Sequence, residues 1–276
     1  MKVHIYDKGI LKVFGAWVSW ISIIVSLVVI LFPIPETWKK GIVVTVFIAV
    51  IVFIYLFIWL WSNLKKRISL KINNTKIIVE EGDIFQSTGK KIIPVNEFFD
   101  THVGDGIIEP TSLHGKYITE HTQLSSAELQ SMINEALKNQ NPVLIDMVRE
   151  NGNQIKYPLG TIFNDKKGFL LLAYSRFDES NRAFLNTEDV LCCYIRMWDE
   201  IDKCRGNDSI SLPIMGGSGL VRGALANYTE QQLIELLLWS FRISGIHLSR
   251  GASLNIVVHK SMIKKINMLD LKKFSD

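Results

Sequence analysis

Two uncharged apolar runs near the N-terminus constrain this chain more than any other feature. Residues 13–32 (VFGAWVSWISIIVSLVVILF) and 41–60 (GIVVTVFIAVIVFIYLFIWL) each hold 20 residues without a charge. At about 1.5 Å rise per residue, a helix of that length spans roughly 30 Å, the thickness of a bilayer's hydrocarbon core. Buried core helices are the alternative, but two such runs in tandem are rare in soluble folds. We expect a two-helix transmembrane region over residues 1–67.

The charges around these runs predict their orientation. The first run is too long for the apolar part of a signal peptide, and no small-residue cleavage site follows it. Basic residues are more frequent on the cytoplasmic side of membrane helices, so both termini are expected in the cytoplasm. The two outer flanks hold six basic residues and the connector holds two: Lys2, Lys8, Lys12, Lys65, Lys66 and Arg67 against Lys39 and Lys40.

Composition excludes several classes of site. Residues 1–67 hold 8 Lys/Arg and 2 Asp/Glu, so the net charge of +4 comes from the membrane flanks, and the rest carries −2. A nucleic-acid-binding stripe is therefore not expected. Cys192, Cys193 and Cys204 lack CxxC spacing, and the six histidines form no HxxxH pair. Neither a disulfide framework nor a metal site is expected.

Residues 68–276 alternate between strand and helix patterns. This alternation predicts one α/β domain with helices on both faces of a sheet. Segments rich in Val and Ile and bounded by turn residues are the predicted strands. They lie in LKINNTKIIVEEGDIF, which has a turn at Asn73–Asn74, and in KKIIPVNEFFD, NPVLIDMVRENGNQIKYPLGTIF, GFLLLAYSRF, DSISLPIM and SLNIVVH.

Capping signals predict where the helices begin. Ser125 with Glu128 and Thr229 with Gln232 have the spacing of capping boxes, and Thr187 is a predicted N-cap. A basic helix is expected from about residue 262. The helix that begins at Ser125 is expected to have an apolar face of Leu129, Met132, Ile133, Ala136 and Leu137. The helix that begins at Thr187 is expected to have an apolar face of Leu191, Tyr194, Ile195 and Trp198.

Two glycine-containing loops follow predicted strands, at residues 104–106 and 216–219. Glycine allows backbone N–H groups to approach a ligand closely, and successive N–H groups form anion-binding nests. Neither the P-loop nor the Rossmann spacing is present. From the loop MGGSG alone, a phosphate cradle and a surface turn both remain open.

Three motifs, taken in order, resemble a known family. VEEGDIF (79–85), IIPVNEFFDT (92–101) and LPIMGGSGL (212–220) occur in the order of a macro domain, a family that binds ADP-ribose and its derivatives. With two N-terminal spans, the chain resembles the type II effector of Thoeris anti-phage systems. The resemblance implies a macro-like three-layer α/β/α domain over residues 68–276.

The resemblance also implies roles for particular residues. Asp83, expected to be buried, would accept a hydrogen bond from the adenine amino group, assisted by the Ile84 backbone, and Asn96 would hold the first loop or the distal ribose. Gly104, Asp105 and Gly106 would border the ribose and phosphates. Backbone N–H groups would wrap the diphosphate at Gly216, Gly217, Ser218, Gly219 and Leu220.

A departure from the family pattern bears on catalysis. Hydrolytic macro domains carry a second asparagine three residues after the first, where this chain has Phe99. Phenylalanine cannot position a water molecule. The expected protein is therefore a non-catalytic effector without cofactor or metal. A membrane-tethered ADP-ribosyl hydrolase and a membrane anchor with a protein-binding domain are the alternatives.

The family implies a mechanism as well. A partner enzyme with a TIR domain would make the signal, expected to be histidine-conjugated ADP-ribose. Binding would drive homo-oligomerisation in the bacterial inner membrane, disrupt that membrane and lead to abortive infection. Two helices per protomer without an intramembrane charge leave open whether they form a pore or only cluster.

Overall fold

A computed structural model describes residues 3–32, 39–144, 149, 152–178, 180–216, 222–223 and 227–276. The chain forms two compact units. One contains Met1–Lys66 with Lys264–Lys273, and the other contains Arg67–Ile263 with Phe274–Asp276. The assignment of residues 1–67 and 68–276 to separate domains stays a prediction. The first unit also includes a C-terminal segment, which the sequence did not suggest.

The first unit contains a helical hairpin, α1 (Lys8–Leu31) and α2 (Lys40–Leu64). Both helices are long and apolar enough to cross a membrane, and their apolar side chains are mostly exposed. Three of their hydroxyl groups bond within the helix: Ser19, Thr45 and Ser62 donate to the carbonyl four residues earlier. Such back-bonding removes the need for water along the helix.

The second unit is built on a mixed sheet. The strands are β1 (Arg67–Ile72), β2 (Thr75–Glu81), β3 (Lys90–Asn96), β4 (Val143–Leu144), β5 (Ile155–Lys156), β6 (Ile162–Asn164), β7 (Phe169–Phe177), β8 (Ala183–Leu185), β9 (Ile210–Pro213), β10 (Arg222–Gly223) and β11 (Ser253–Val258). Their order in the sheet is β1-β2-β11-β9-β3-β7-β8-β10, with β6 also pairing with β7, and a separate pair joins β4 and β5. Strands β2, β11, β9, β3 and β7 are parallel, and β1 and β6 are antiparallel to their neighbours.

Helices cover both faces of this sheet, which confirms the predicted three-layer α/β arrangement. The helices are α3 (Leu113–Lys116), α4 (Ser126–Leu137), α5 (Thr187–Cys204) and α6 (Glu230–Ser244). Strand β7 shows the two faces: Leu171 and Ala173 join the core with α4, whereas Tyr174 stacks on Tyr194 of α5. On the second face, Trp198 of α5 donates through Nε1 to Ser240 of α6.

Helix α4 begins at its predicted capping box, but its buried face is narrower than predicted. Leu129, Ile133 and Leu137 are buried, whereas Met132 and Ala136 are exposed. The buried positions are four residues apart, so a single ridge of the helix contacts the sheet. The predicted box of α6 at Thr229 and Gln232 is also present.

Three predictions for α5 and the C-terminus were wrong. The N-cap of α5 is Asn186, one residue before Thr187, because its side chain accepts from the Asp189 N–H while Asp189 reaches back. Leu191 and Ile195 are exposed, because the buried ridge runs through Val190, Cys193, Tyr194, Met197, Trp198 and Ile201. The predicted C-terminal basic helix is two 3-10 segments, Ile263–Lys265 and Asp270–Phe274.

Candidate functional site

The carboxyl edge of the parallel strands gathers the residues that the sequence singles out. Asp83 follows β2, Asn96 ends β3, and Gly216 follows β9. Because parallel strands end at the same edge, these residues lie along one side of the sheet, where ligands of open α/β sheets bind. The residues Gly217, Ser218, Gly219 and Leu220 lie outside the described part of the chain.

The connection after β9 brackets the end of β3. The chain leaves β9 at Pro213 and next pairs at Arg222–Gly223, beside β8. Strands β3 and β7 separate β9 from β8 in the sheet, so the two described ends of this connection lie on opposite sides of Asn96. Gly216 has φ of 84°, a conformation that L side chains rarely adopt.

Asn96 offers an unused hydrogen-bond donor at this edge. Its Oδ1 accepts from the N–H groups of Phe98 (3.0 Å) and Asp100 (3.3 Å), which fixes the turn after β3. Its Nδ2 is buried and has no hydrogen-bond partner among the described residues. An unpaired buried donor costs about 1–3 kcal/mol, so a ligand that accepts from Nδ2 would recover this energy.

Asp83 differs from the buried carboxylate that the family role implied. Its side chain is exposed, and Oδ1 accepts from the Phe85 N–H at 3.0 Å, which caps a 3-10 turn over Ile84–Gln86. Ile84 is buried in the same core as β3. Asp83 is therefore held in place by its own cap while it remains accessible to a ligand.

The first glycine loop has the backbone that its sequence implies. Gly104 (φ 101°), Asp105 (φ 48°) and Gly106 (φ 76°) are all left-handed, and the Gly104 N–H donates to the Ile108 carbonyl at 3.0 Å. Within the described residues, no heavy atom other than those of the chain neighbours lies within 4 Å of where a Cβ would be on either glycine. The Asp105 carboxylate is 2.9 Å from Nε2 of the exposed His102.

A buried ion pair anchors the segment between Asn96 and this loop. The guanidinium of Arg149 lies 2.9 Å from Oδ2 of Asp100, and its Cζ is 3.7 Å from the Phe98 ring centroid. Asp100 also accepts from the Asn153 N–H at 2.8 Å, and Arg149 donates to Oδ1 of Asn181. Sequence reasoning missed this network, because its partners are far apart in the chain and belong to no periodic pattern.

A polar cleft of about 350 Å³ lies beside the ion pair. It is close to the amino end of α4, where Thr101 Oγ1 donates to the Ser126 carbonyl at 3.0 Å. Asn153 donates through Nδ2 to Gln130 Oε1 at 2.8 Å. The cleft is lined by Asp100, Thr101, His102, Ser126, Ala127, Gln130 and Asn153.

His114, in α3, is buried. Burial is the main cause that lowers its pKa to about 3, and a hydrogen bond with the Asp100 backbone opposes this only in part. The ring is therefore neutral at physiological pH. The neighbouring Gly115 permits the tight packing, because a Cβ there would lie 2.4 Å from the Glu109 carbonyl oxygen.

A second charged cluster holds the residue after Asn96. Glu97 is buried 3.3 Å from the Arg176 guanidinium, which also pairs with Asp189 at 2.7 Å. Burial raises the pKa of Glu97, and Arg176 lowers it by a smaller amount. Burial also raises the pKa of Asp189, but its bonds from Arg176 and from the Asn186 N–H outweigh this and leave the pKa lowered.

Comparison with known proteins identifies the family. The family described as "Thoeris protein ThsA, Macro domain" matches residues 77–259. The chain is 32% identical over 216 residues to Thoeris protein ThsA of Bacillus amyloliquefaciens (strain Y2), which covers 75% of this chain and 70% of that protein. This chain belongs to the Thoeris ThsA macro-domain family. The family predicted from the three ordered motifs is thus confirmed.

Two solved macrodomain structures are also similar to the chain. They are a mutant of the Oceanobacillus iheyensis macrodomain and the Oceanobacillus iheyensis macrodomain with ADP. Identity is 14% and 12%, the TM-score is 0.45 for both, and 75% of this chain is covered, with 92% and 94% of the two solved chains.

Across the described residues, no group of three or more His, Cys, Asp or Glu could hold a metal ion.

Proposed function

We propose that this chain is a membrane-bound effector of a Thoeris anti-phage system, and that its macro domain binds an ADP-ribose-derived signal. The supporting observation is the buried Nδ2 of Asn96 at the carboxyl edge of β3, which has no hydrogen-bond partner within the described part of the chain. The two described ends of the connection after β9 lie on either side of Asn96. A ribose hydroxyl oxygen accepts a hydrogen bond from such a donor, and the glycine loops supply N–H groups for phosphate.

The proposed signal is histidine-conjugated ADP-ribose made by a partner enzyme with a TIR domain. Adenine would bind at Asp83 and Ile84, the ribose at Asn96, and the diphosphate at the loops around Asp105 and Gly216. The cleft beside Asp100 is polar and has room for the amino-acid part of the signal. Neither a metal nor a cofactor takes part in this proposal.

The proposed role is sensing rather than catalysis. Phe99 occupies the position of the second asparagine of hydrolytic relatives, and it is fully buried with a φ of 48°. Its ring packs edge-on against Tyr157 at a centroid distance of 5.5 Å. A buried phenylalanine offers no polar group to a substrate at this position. This supports a receptor without hydrolase activity.

Signal binding would favour an oligomer of this protein and so disrupt the inner membrane through the hairpins. A ligand shifts only equilibria between states that it binds unequally, so the signal must bind the oligomer more tightly. Both termini and the macro domain would lie in the cytoplasm. Membrane insertion is supported by the length and composition of α1 and α2 and by the exposure of their apolar side chains.

Calorimetric titration of the full chain in nanodiscs tests the sensor. Histidine-ADP-ribose, ADP-ribose, NAD and ADP would be compared for wild type, Asp83→Ala and Gly216→Asp. We expect the histidine conjugate to bind most tightly and both variants to lose at least tenfold in affinity. The matched control is Gly206→Asp, because Gly206, like Gly216, has a positive φ (62°) but precedes the amino end of β9.

The outcomes separate the candidate functions. Equal loss in Gly206→Asp and Gly216→Asp would mean that strain alone weakens binding and that the glycine connection is a turn. Turnover of ADP-ribosylated protein would contradict the non-catalytic role. Mass photometry with and without the signal tests the oligomer, and dye release from vesicles tests membrane disruption.

A further inference from the structure

The C-terminal segment 264–273 packs at one end of the helical hairpin, within the first unit. Leu269 joins a buried cluster with Val3, Ile10 and Ile58. Asn267 donates through Nδ2 to Oδ2 of Asp7 at 3.0 Å. The segment is therefore fixed at the end where α1 begins and α2 finishes.

Gly9 lies against the C-terminal segment. A Cβ at Gly9 would be 3.4 Å from Cβ of Leu269, and the Gly9 N–H donates to Oδ1 of Asp7, the N-cap of α1, at 2.8 Å. The N-terminal arm is tied to the same end of the hairpin. Trp59 Nε1 and Asn63 Nδ2 both donate to the Val3 carbonyl, and the Tyr55 hydroxyl donates to the Ile5 carbonyl.

This packing concentrates positive charge at one end of the hairpin. We call the lysines there the lysine collar, and the same end carries two aspartates, Asp7 and Asp270. All but Lys65, which is half-buried, are exposed. The collar consists of Lys8, Lys12, Lys65, Lys66, Lys264, Lys265, Lys272 and Lys273.

The C-terminal lysines face outward because the residues between them face inward. Lys264 and Lys265 precede the buried stretch and Lys272 and Lys273 follow it. Ile266, Met268 and Leu271 are fully buried. Segment 264–273 therefore has a buried centre and two exposed lysines at each end.

The collar lies at the depth of the lipid headgroups if the hairpin spans a bilayer. Helices of 24 and 25 residues are about 36 Å long, which exceeds the roughly 30 Å of hydrocarbon. Because the uncharged apolar runs cover residues 13–32 and 41–60, the surplus turns are those near Lys8 and Leu64. Trp61 marks this interface, because tryptophan favours it and Lys65 lies 5.0 Å from its ring centroid.

We propose that the lysine collar binds the headgroups of anionic phospholipids, a proposal that rests on the membrane insertion proposed above. Clusters of four to eight Lys or Arg next to a membrane helix attract anionic lipids. Burial, and then the charge of Lys272, lower the pKa of Lys65, so charges of the same sign repel one another within the collar. A lipid phosphate between them would offset this repulsion.

Lipid selectivity of the full chain tests the proposal. Wild type would be reconstituted in phosphatidylcholine vesicles with spin-labelled phosphatidylglycerol or phosphatidylcholine, and electron paramagnetic resonance would give their relative association with the protein. The test variant changes Lys264, Lys265, Lys272 and Lys273 to Gln. We expect wild type to prefer the anionic lipid and the variant to lose at least about fivefold of that preference, the equivalent of one lysine at the surface.

Two controls separate charge from packing. The same four lysines changed to Arg keep the charge and should keep the preference. Changing four exposed lysines of the α/β domain to Gln should leave the preference unchanged; these are Lys138, Lys166, Lys167 and Lys203. In 0.5 M NaCl the wild-type preference should fall towards that of the test variant.

Several results would overturn the proposal. An unchanged preference in the Gln variant would mean that the C-terminal lysines serve another partner, such as an acidic protein. Equal loss in the Arg variant would mean that only packing matters. A chain released from vesicles by alkaline carbonate would overturn the proposed insertion together with the collar, whereas an inserted chain without lipid preference would overturn the collar alone.

Discussion

The Asp100 carboxylate and the Arg149 guanidinium meet at 2.9 Å with side-chain exposures of only 2% and 1%. Arg149 also stacks on Phe98 and donates to the Asn153 carbonyl at 2.8 Å. Each charge is therefore compensated without water. Since Asp100 also donates its N–H to Oδ1 of Asn96, the pair fixes the turn that positions the Asn96 amide group.

Arg149→Met should destabilise the protein strongly. Removing one partner of a buried pair leaves an uncompensated charge, which costs about 3–5 kcal/mol. Thermal unfolding of the full chain in nanodiscs should show a lower Tm, and signal affinity should fall because Asn96 loses its support. The double variant Asp100→Asn/Arg149→Met should recover part of the Tm, because no buried charge remains.

An exposed ion pair provides the control for this prediction. Arg182 lies 2.8 Å from Asp178, and the two side chains are 56% and 33% exposed. Surface pairs contribute about 0–1 kcal/mol, so Arg182→Met should change the Tm little. An Arg149→Met effect no larger than that of Arg182→Met would contradict a structural role for the buried pair.

Arg176→Met should destabilise the protein in a pH-dependent way. Arg176 neutralises the carboxylates of Glu97 and Asp189, and without it the buried Glu97 loses its counter-charge. Its folded-state pKa, already raised by burial, would rise further. We expect a loss of about 2 kcal/mol at pH 7.5, of the size found for unpaired buried polar groups.

The sign of this pH dependence follows from Glu97. An acid whose folded pKa is raised destabilises the fold above that pKa, and the penalty vanishes as pH falls and the carboxyl becomes protonated. The Tm difference between wild type and Arg176→Met should therefore shrink from pH 7.5 to pH 5. A difference that stays constant or grows over this range would exclude this electrostatic account.

His114 makes the folded protein less stable as pH falls, whereas protonation of Glu97 removes a penalty. Its folded pKa of about 3 lies below the ordinary value of 6.5, so between these values the unfolded chain binds a proton that the folded chain does not. The free energy of unfolding should then fall by up to about 1.4 kcal/mol for each pH unit lowered. The stability that neutral burial contributes is present above pH 6.5 and is lost as pH falls towards 3.

Comparison with His114→Gln measures this contribution. Glutamine keeps polar atoms but does not titrate, so the Tm advantage of wild type should narrow between pH 7.5 and pH 5. Proton exchange at the ring C2 position, read by mass spectrometry, reports the protonation of His114 directly. An inflection near pH 6.5 in that profile would show that the ring is open to solvent, contrary to this structure.

Local signals account for the parts of the fold that could be predicted from the sequence. The Asn73–Asn74 turn has φ of 49° and 59°, which asparagine tolerates, and the Ser125 and Thr229 capping boxes form as expected. Such features depend on residues within three or four positions. Local sequence patterns likewise predicted the strand ends that carry Asp83 and Asn96.

The features that could not be predicted from the sequence depend on long-range packing. Asp100 and Arg149 are 49 positions apart, and no periodic pattern links them. The exposure of Met132 depends on how far α4 sits over the sheet, which its own apolar pattern does not determine. The docking of Leu269 beside Ile10 likewise depends on a chain end returning to the hairpin, so a sequence pattern alone could suggest only a basic helix.

Val52→Arg should prevent stable membrane insertion of the hairpin. Val52 is near the middle of α2 and is exposed on its apolar surface. An arginine at the centre of a membrane helix costs about 3 kcal/mol for insertion. After expression in bacteria, the fraction that resists alkaline carbonate extraction should fall well below that of wild type. Leu144→Arg is the control, because Leu144 is an exposed apolar residue of the α/β domain, and it should stay in the membrane fraction. Equal retention of both variants would mean that α2 does not span the bilayer.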